Sequence, residues 1–125
     1  TCFELFLAVP GRAAYYELNF APSSAWALYR FGGYRERLAD PEPRTPPAIR
    51  LSRDAKEAVL EASVSLAGLP RLAAADPLEV ALCAVLESGD GALHYYALGH
   101  PAERPDFHDR RGFLVLLASH GGAPA

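Results

Sequence analysis

The sequence predicts an all-β protein, an antiparallel β-sandwich of the immunoglobulin-like or jelly-roll-like kind. Three observations predict it: apolar residues recur mostly with period two, turn signals separate short runs at regular spacing, and no segment is long enough for a core helix. The chain has 125 residues, of which 50% are hydrophobic and 22% charged. This length and composition are typical of one globular domain, which we place at residues 1–119.

Alternation predicts three strands in the first third of the chain, at residues 2–8, 15–20 and 25–31. Residues 10–14 are short enough to join the first two as a hairpin. Residues 21–24 form a turn, since Pro22 cannot extend a central strand. Gly32 and Gly33 end or bulge the third strand. Residues 40–47 contain four prolines and are expected to form an exposed loop.

The segment 53–69 is ambiguous, because its alanine-rich composition favours a helix whereas its alternation favours a strand. We give the periodicity more weight and predict a strand at residues 59–66. Further strands are predicted at 78–87, 92–98 and 113–118, which locates seven of the about eight short strands that the spacing of turn signals indicates. Residues 88–91 form a hairpin turn and residues 99–112 a polar loop, and residues 120–125 are a flexible tail.

Charge and hydropathy exclude several classes of partner. The net charge of −3 argues against a nucleic-acid surface, and the longest purely apolar run, residues 113–118, is too short to span a bilayer. The chain contains no Met and begins at Thr1 within an apolar run, so we expect further structure upstream. Few cysteines and no visible signal peptide favour a cytoplasmic location. Oligomeric state is not predicted.

The two cysteines, Cys2 and Cys83, each lie in an apolar run. Buried free thiols are favoured, and a disulfide between the two cysteines remains the alternative. No motif that cradles phosphate, and no pairing of a nucleophile with a base, can be identified, so an enzyme has the least support. No cofactor is expected.

Aromatic and polar residues inside strands are the candidates for a site. Of each adjacent pair, Tyr15 with Tyr16 and Tyr95 with Tyr96, one member should face away from the core. Most other aromatic residues, Trp26 among them, are expected to be core residues. Three polar residues, Glu4, Glu17 and Asn19, lie among bulky apolar neighbours. Glu17 is expected on a solvated face, whereas Glu4 could equally face a ligand.

A group of histidines and aspartates lies in and near the predicted loop 99–112: His94, His100, Asp106, His108 and Asp109. A brace of side-chain to backbone hydrogen bonds is favoured there over a metal site, because the spacing of the ligands is irregular.

Several runs together resemble the bacterial DOMON-like domains, which are similar to the family 9 carbohydrate-binding modules. They are TCFELFL at residues 1–7, YELNFAPSSAWALYRF at 16–31, YYALGHP at 95–101 and RPDFH at 104–108. The resemblance implies a β-sandwich that clamps a sugar between two aromatic rings beside a carboxylate and an arginine. It implies Glu4 for the carboxylate, Arg30 for the arginine, and Tyr96 or less favourably Tyr95 for one ring. The other ring would be a Trp upstream of Thr1.

The leading expectation is therefore a non-catalytic domain of a bacterial protein that binds a carbohydrate or a similar small polar ligand. The candidate site residues are Glu4, Asn19, Arg30, Tyr95 and Tyr96. Two alternatives stay open: a protein-interaction module with an exposed aromatic face, and a haem-binding domain that uses His100 or His108. A Met and His pair of haem ligands is excluded, because the chain has no Met.

Overall fold

The computed structural model describes residues 1–39, 45–69, 72 and 77–118. The strands are β1 (Cys2–Ala8), β2 (Tyr15–Phe20), β3 (Trp26–Phe31), β4 (Ala48–Arg53), β5 (Ala58–Ser63), β6 (Leu78–Glu87), β7 (Leu93–Ala97) and β8 (Val115–Leu117). Two short 3-10 helices span Leu66–Gly68 and Arg110–Gly112. The strand pairs are antiparallel. The all-β class is thus confirmed, and the two sheets agree with a β-sandwich.

The larger sheet has the order β3-β2-β1-β6-β7, and β8 pairs with β6 beside β7. β7 opposes residues 83–87 of β6 and β8 opposes residues 78–80, so the two share one side of that long strand. The smaller sheet contains β4 and β5. Three strands, β2, β1 and β6, are therefore paired on both sides and form the centre of the larger sheet.

Each of the seven predicted strands is present, but β3, β5, β7 and β8 are shorter than expected. β5 ends at Ser63, and the chain then turns into the first 3-10 helix instead of continuing to residue 66. β8 covers Val115–Leu117, because Phe113 belongs to the end of the preceding loop. β4 was not predicted from the sequence. The predicted tail at 120–125 and part of the predicted loop at 40–47 lie outside the described residues.

The register divides the larger sheet into two faces, which we name by what covers them. The packed face carries Phe3, Leu5 and Leu7 of β1 together with their cross-strand partners on β2 and β6. The opposite face, which we call the loop face, carries Cys2, Glu4, Phe6 and Ala8 and their partners.

The packed face buries the larger core. Its buried residues are Leu7, Tyr16, Leu18, Phe20, Leu28, Leu69, Leu72, Leu78 and Val80. Ile49 of β4 and Leu60 of β5 pack against this core, as does Trp26 of β3, so the smaller sheet covers part of the face. Burial of these side chains supplies the main hydrophobic contribution to stability.

The loop face buries a second core beneath residues 99–113, which we call the covering segment. Phe113 of this segment is buried with Phe6, Tyr15 and Phe31, and Phe107 packs against the same cluster. The stacked rings of Tyr15 and Phe31 have centroids 4.8 Å apart. Both faces of the sheet are thus covered in part, and for this reason Tyr15 and Tyr16 are both buried. The two rings do point to opposite faces, as alternation predicts, but neither of them is exposed.

Candidate functional site

The structure separates the predicted ligand-binding residues onto the two faces of the larger sheet. Glu4 and Asn19 are direct cross-strand partners on the loop face, and Tyr95 lies on the same face of β7. Arg30 and Tyr96 lie on the packed face, since Arg30 opposes Tyr16 and Tyr96 opposes Ala84. A single site containing all five residues is therefore not formed, and Tyr95 rather than Tyr96 shares a face with Glu4.

Glu17 corrects the expectation from the sequence. It was predicted on a solvated face, but only 6% of the residue is exposed. The covering segment places the His108 ring over it, with Nε2 of His108 3.3 Å from Oε1 of Glu17. A buried carboxylate needs such a partner, because leaving it unpaired would cost several kcal/mol, as an order of magnitude.

His108 joins Glu17 to Tyr15. The Tyr15 hydroxyl lies 2.8 Å from Nδ1 of His108, and the backbone N–H of Arg35 donates to the same hydroxyl over 3.0 Å. With a neutral imidazole, the hydroxyl donates to Nδ1 while Nε2–H donates to the Glu17 carboxylate. The ring is also enclosed edge-on by Phe6 and Phe31, at centroid distances of 5.2 and 5.0 Å. These contacts occupy both ring nitrogens, so His108 could ligate haem only after losing its contact with Tyr15 or its contact with Glu17.

The half-buried Glu4 carboxyl lies on the same face as Glu17 and His108. It lies diagonally across from Glu17 on the loop face, because Glu4 opposes Asn19 and Glu17 opposes Phe6. Burial, followed by the negative charge of Glu17 and hydrogen bonding to it, raises the pKa of Glu4 to about 7, while His108 opposes the shift. Two carboxyl groups this close cannot both ionise without a penalty, and this penalty favours the protonated form of Glu4.

Asn19 leaves hydrogen-bonding capacity unused beside Glu4. Its Oδ1 atom is shielded from solvent and has no hydrogen-bond partner in the described part of the chain. An unsatisfied amide oxygen costs roughly 1–3 kcal/mol. A donor that reached it would recover much of that energy. Arg30 is the other such case, with a buried Nε atom that lacks a partner, but it lies on the packed face.

Tyr95 provides an aromatic surface on the loop face. It is 45% exposed, and its ring meets the Phe107 ring of the covering segment at a centroid distance of 6.1 Å. Two strand spacings and two residues along the strand separate Tyr95 from Glu4, which corresponds to roughly 12 Å between Cα atoms. The floor between them carries Cys2, Cys83, Val85 and Ala97, none of which has a charged side chain.

The two cysteines are free thiols, as favoured from the sequence. They lie on the loop face of neighbouring strands but are not direct cross-strand partners. Cys2 opposes Val85, whereas Cys83 opposes Glu4, so the two cysteines are diagonal to each other. Such diagonal positions lie about 7–8 Å apart, too far for a disulfide. Burial, with the nearby charge of Glu4, raises the pKa of Cys2 and raises that of Cys83 to about 12. Both thiols are therefore poor nucleophiles.

The brace expected at the histidines and aspartates is present within the covering segment. Asp106 accepts the backbone N–H of His108 over 3.2 Å and pairs with Arg35 at 2.8 Å, and the Tyr34 hydroxyl also donates to it. Asp109 accepts the backbone N–H of Arg111 over 3.0 Å. Among the described residues, no group of three or more His, Cys, Asp or Glu side chains could hold a metal ion. His94 and His100 stand apart, the latter beside Phe107.

A cleft of about 380 Å³ opens where the covering segment meets the end of the sheet. It is lined by Ala13, Tyr15, Tyr34, Asp106, His108, Asp109, Arg110 and Arg111. Its charged groups are already engaged: Arg110 pairs with Glu79 at 2.7 Å, and Arg111 pairs with Asp109 at 2.6 Å. The cleft therefore offers less unused hydrogen-bonding capacity than the Glu4 and Asn19 pair.

In the residues that the structure describes, no helix is both long and apolar enough to cross a membrane. Comparisons of the chain with protein-family models, with curated proteins and with solved structures found no match.

Proposed function

We propose that this chain is a non-catalytic domain that binds a carbohydrate or a similar small polar ligand on the loop face, at Glu4 and Asn19. The observation that carries the proposal is the unsatisfied Oδ1 atom of Asn19, directly across the strand from Glu4. Each sugar hydroxyl can both donate and accept a hydrogen bond. Two neighbouring hydroxyls can therefore bind the Asn19 amide and the Glu4 carboxyl together, once either of these side chains changes rotamer.

Tyr95 supports the same assignment. Sugar rings present apolar C–H groups on one face, and an exposed tyrosine ring can cover them while hydroxyls bind polar side chains nearby. The separation of roughly 12 Å from Glu4 exceeds the width of one pyranose ring. A ligand that contacts both residues would therefore contain at least two rings.

The test is titration calorimetry of the domain against a panel of mono- and oligosaccharides, with two matched variants. Tyr95→Ala and Tyr96→Ala remove the same side chain from adjacent, exposed positions on opposite faces of β7. We expect Tyr95→Ala to weaken binding of an oligosaccharide about tenfold or more, a loss of ~1.4 kcal/mol, and Tyr96→Ala to leave it unchanged. Heat of binding for none of the sugars, or an equal loss in the two variants, would contradict the proposal.

A further inference from the structure

The strands of the larger sheet place glutamates, and no basic side chain, on the loop face. Four glutamates share this face in the register of β1, β2 and β6: Glu4, Glu17, Glu79 and Glu87. The described strands of that sheet place no Lys, Arg or His among them. A surface that carries charge of one sign attracts ligands of the opposite sign.

The covering segment supplies partners for two of the four. Nε of Arg110 lies 2.7 Å from Oε2 of Glu79, and Nε2 of His108 lies 3.3 Å from Oε1 of Glu17. Both of these carboxylates are therefore engaged within the domain, at the end of the sheet that the segment covers.

Glu4 and Glu87 lack such a partner, since neither forms an ion pair with a described residue. Glu4 opposes Cys83, and Glu87 lies four residues further along β6, which corresponds to roughly 14 Å between the Cα atoms of the two glutamates. Tyr95 opposes Val85, halfway between these positions along the strand. The exposed tyrosine ring is thus flanked along the face by two unpaired carboxyl groups.

The surroundings of Glu4 leave its negative charge poorly compensated. Burial, followed by the charge of Glu17, raises the pKa of Glu4, and His108 opposes this only in part. A further cation, Arg37, lies over the ring of Tyr29 on β3, two strands away from Glu4. A positive group placed beside Glu4 would favour its ionised form and form a charge-assisted hydrogen bond with it.

Asn19 requires the same kind of group. Its buried Oδ1 atom lacks a donor in the described part of the chain, and Glu4 is its direct cross-strand partner. An ammonium group has three donors and no acceptor, so one such group can donate to the amide oxygen and to the carboxylate together. A single hydroxyl has one donor and can serve only one of the two.

We propose that the ligand of the loop face is a cationic saccharide, an oligosaccharide whose free amino groups are protonated. The amine of one ring would bind Glu4 and Asn19, the amine of another ring would face Glu87, and Tyr95 would cover C–H groups between them. This inference rests on the proposed function, because it names the class of saccharide that the same site takes.

The test is titration calorimetry at pH 6.5 with three trisaccharides that share one linkage, those of glucosamine, glucose and N-acetylglucosamine. They differ in one group on each ring, which is an amine, a hydroxyl or an acetamide. We expect the glucosamine trisaccharide to bind about tenfold more tightly than either neutral one. Added salt should reduce this preference, because it screens exposed charges.

Two variants assign the preference to the carboxyl groups. Glu4→Gln should reduce it to about threefold or less, and Glu87→Gln should reduce it by a smaller factor, because Glu87 is exposed. Glu61→Gln is the matched control: it removes the same charge from an exposed position on β5, in the smaller sheet, and should leave the preference unchanged.

Equal affinity for the glucosamine and glucose trisaccharides would overturn this inference and leave the proposed function standing, whereas binding of none of the three would contradict both. A preference that persists in full in Glu4→Gln would also overturn it. If Glu4→Gln does not fold, as circular dichroism will show, Glu87→Gln decides: an undiminished preference there overturns the inference, and a reduced one supports it.

Discussion

At the scale of single residues, Glu17 and His108 show which information a local pattern lacks. Glu17 alternates with apolar neighbours as a solvent-facing residue would, yet His108 covers it from 91 positions further along the chain. Alternation assigns a residue to one of two faces but does not say what covers each face. Here both faces are covered, so the polar member of the pattern is buried as well.

The raised pKa of Glu4 makes the domain less stable as the pH rises. Its pKa is raised from 4.5 to about 7 in the folded chain, so the folded state holds a proton that the unfolded state has released between those values. Stability is therefore highest below pH 4.5 with respect to this group, and it is lost as the pH rises to about 7. We expect a loss on the order of 1–2 kcal/mol, since the half-buried carboxyl is partly screened by solvent.

Urea unfolding of wild type and Glu4→Gln at pH 5, 6, 7 and 8 measures this loss. The difference in free energy of unfolding between the two proteins should change with pH, because other titrating groups contribute equally to both. A constant difference across the series would show that Glu4 titrates as an ordinary exposed carboxyl.

At the scale of elements, the positions of most strands could be predicted from the sequence, whereas the pairing between strands could be predicted less well. Period-two alternation located β1, β2, β3, β6 and β7 closely, because each has bulky apolar residues on at least one face. β4 was missed: only Ile49 and Leu51 alternate with Arg50 and Ser52, and prolines precede the strand. It is stabilised by pairing with β5 and by contacts of Ile49 with the packed core, which no local pattern records.

The hairpin between β6 and β7 illustrates local chemistry that the sequence does specify. Gly91 has a φ of +83°, and its N–H donates to the Ser88 carbonyl over 2.9 Å. An L-residue in this conformation costs about 1 kcal/mol, because its Cβ approaches the backbone. Gly89 lies in the same turn, without a positive φ and with open space around it.

Gly91→Ala should therefore destabilise the domain by about 1 kcal/mol, whereas Gly89→Ala should change its stability by less than half as much. Thermal or urea unfolding of both variants measures the difference. Equal effects would mean that the turn does not require the left-handed conformation at Gly91.

At the scale of the whole molecule, the two sheets cover each other incompletely. The smaller sheet packs against the side of the packed face formed by β1, β2 and β3 together with the start of β6. Beyond it, none of the described residues is packed over the middle of β6 or over β7 and β8 on this face. Four large hydrophobic residues on this face are exposed: Leu82 (52%), Tyr96 (55%), Val115 (39%) and Leu117 (51%).

This patch predicts self-association of the purified chain. The register places only apolar side chains and His94 on this face of β6, β7 and β8, so two copies could meet there without bringing like charges together. Contiguous exposed apolar surface is unfavourable in water, and in purified protein a second copy is the partner available to cover it. We expect sedimentation velocity to show a fraction of dimer that increases with concentration over the micromolar range.

Leu82→Glu should keep the chain monomeric, because dimerisation would then bury two unpaired carboxylates. Leu93→Glu is the matched control: Leu93 is also 52% exposed but lies on the loop face, opposite Glu87, so it should leave the dimer intact. A wild type that stays monomeric, or a dimer that survives Leu82→Glu, would contradict this use of the packed face.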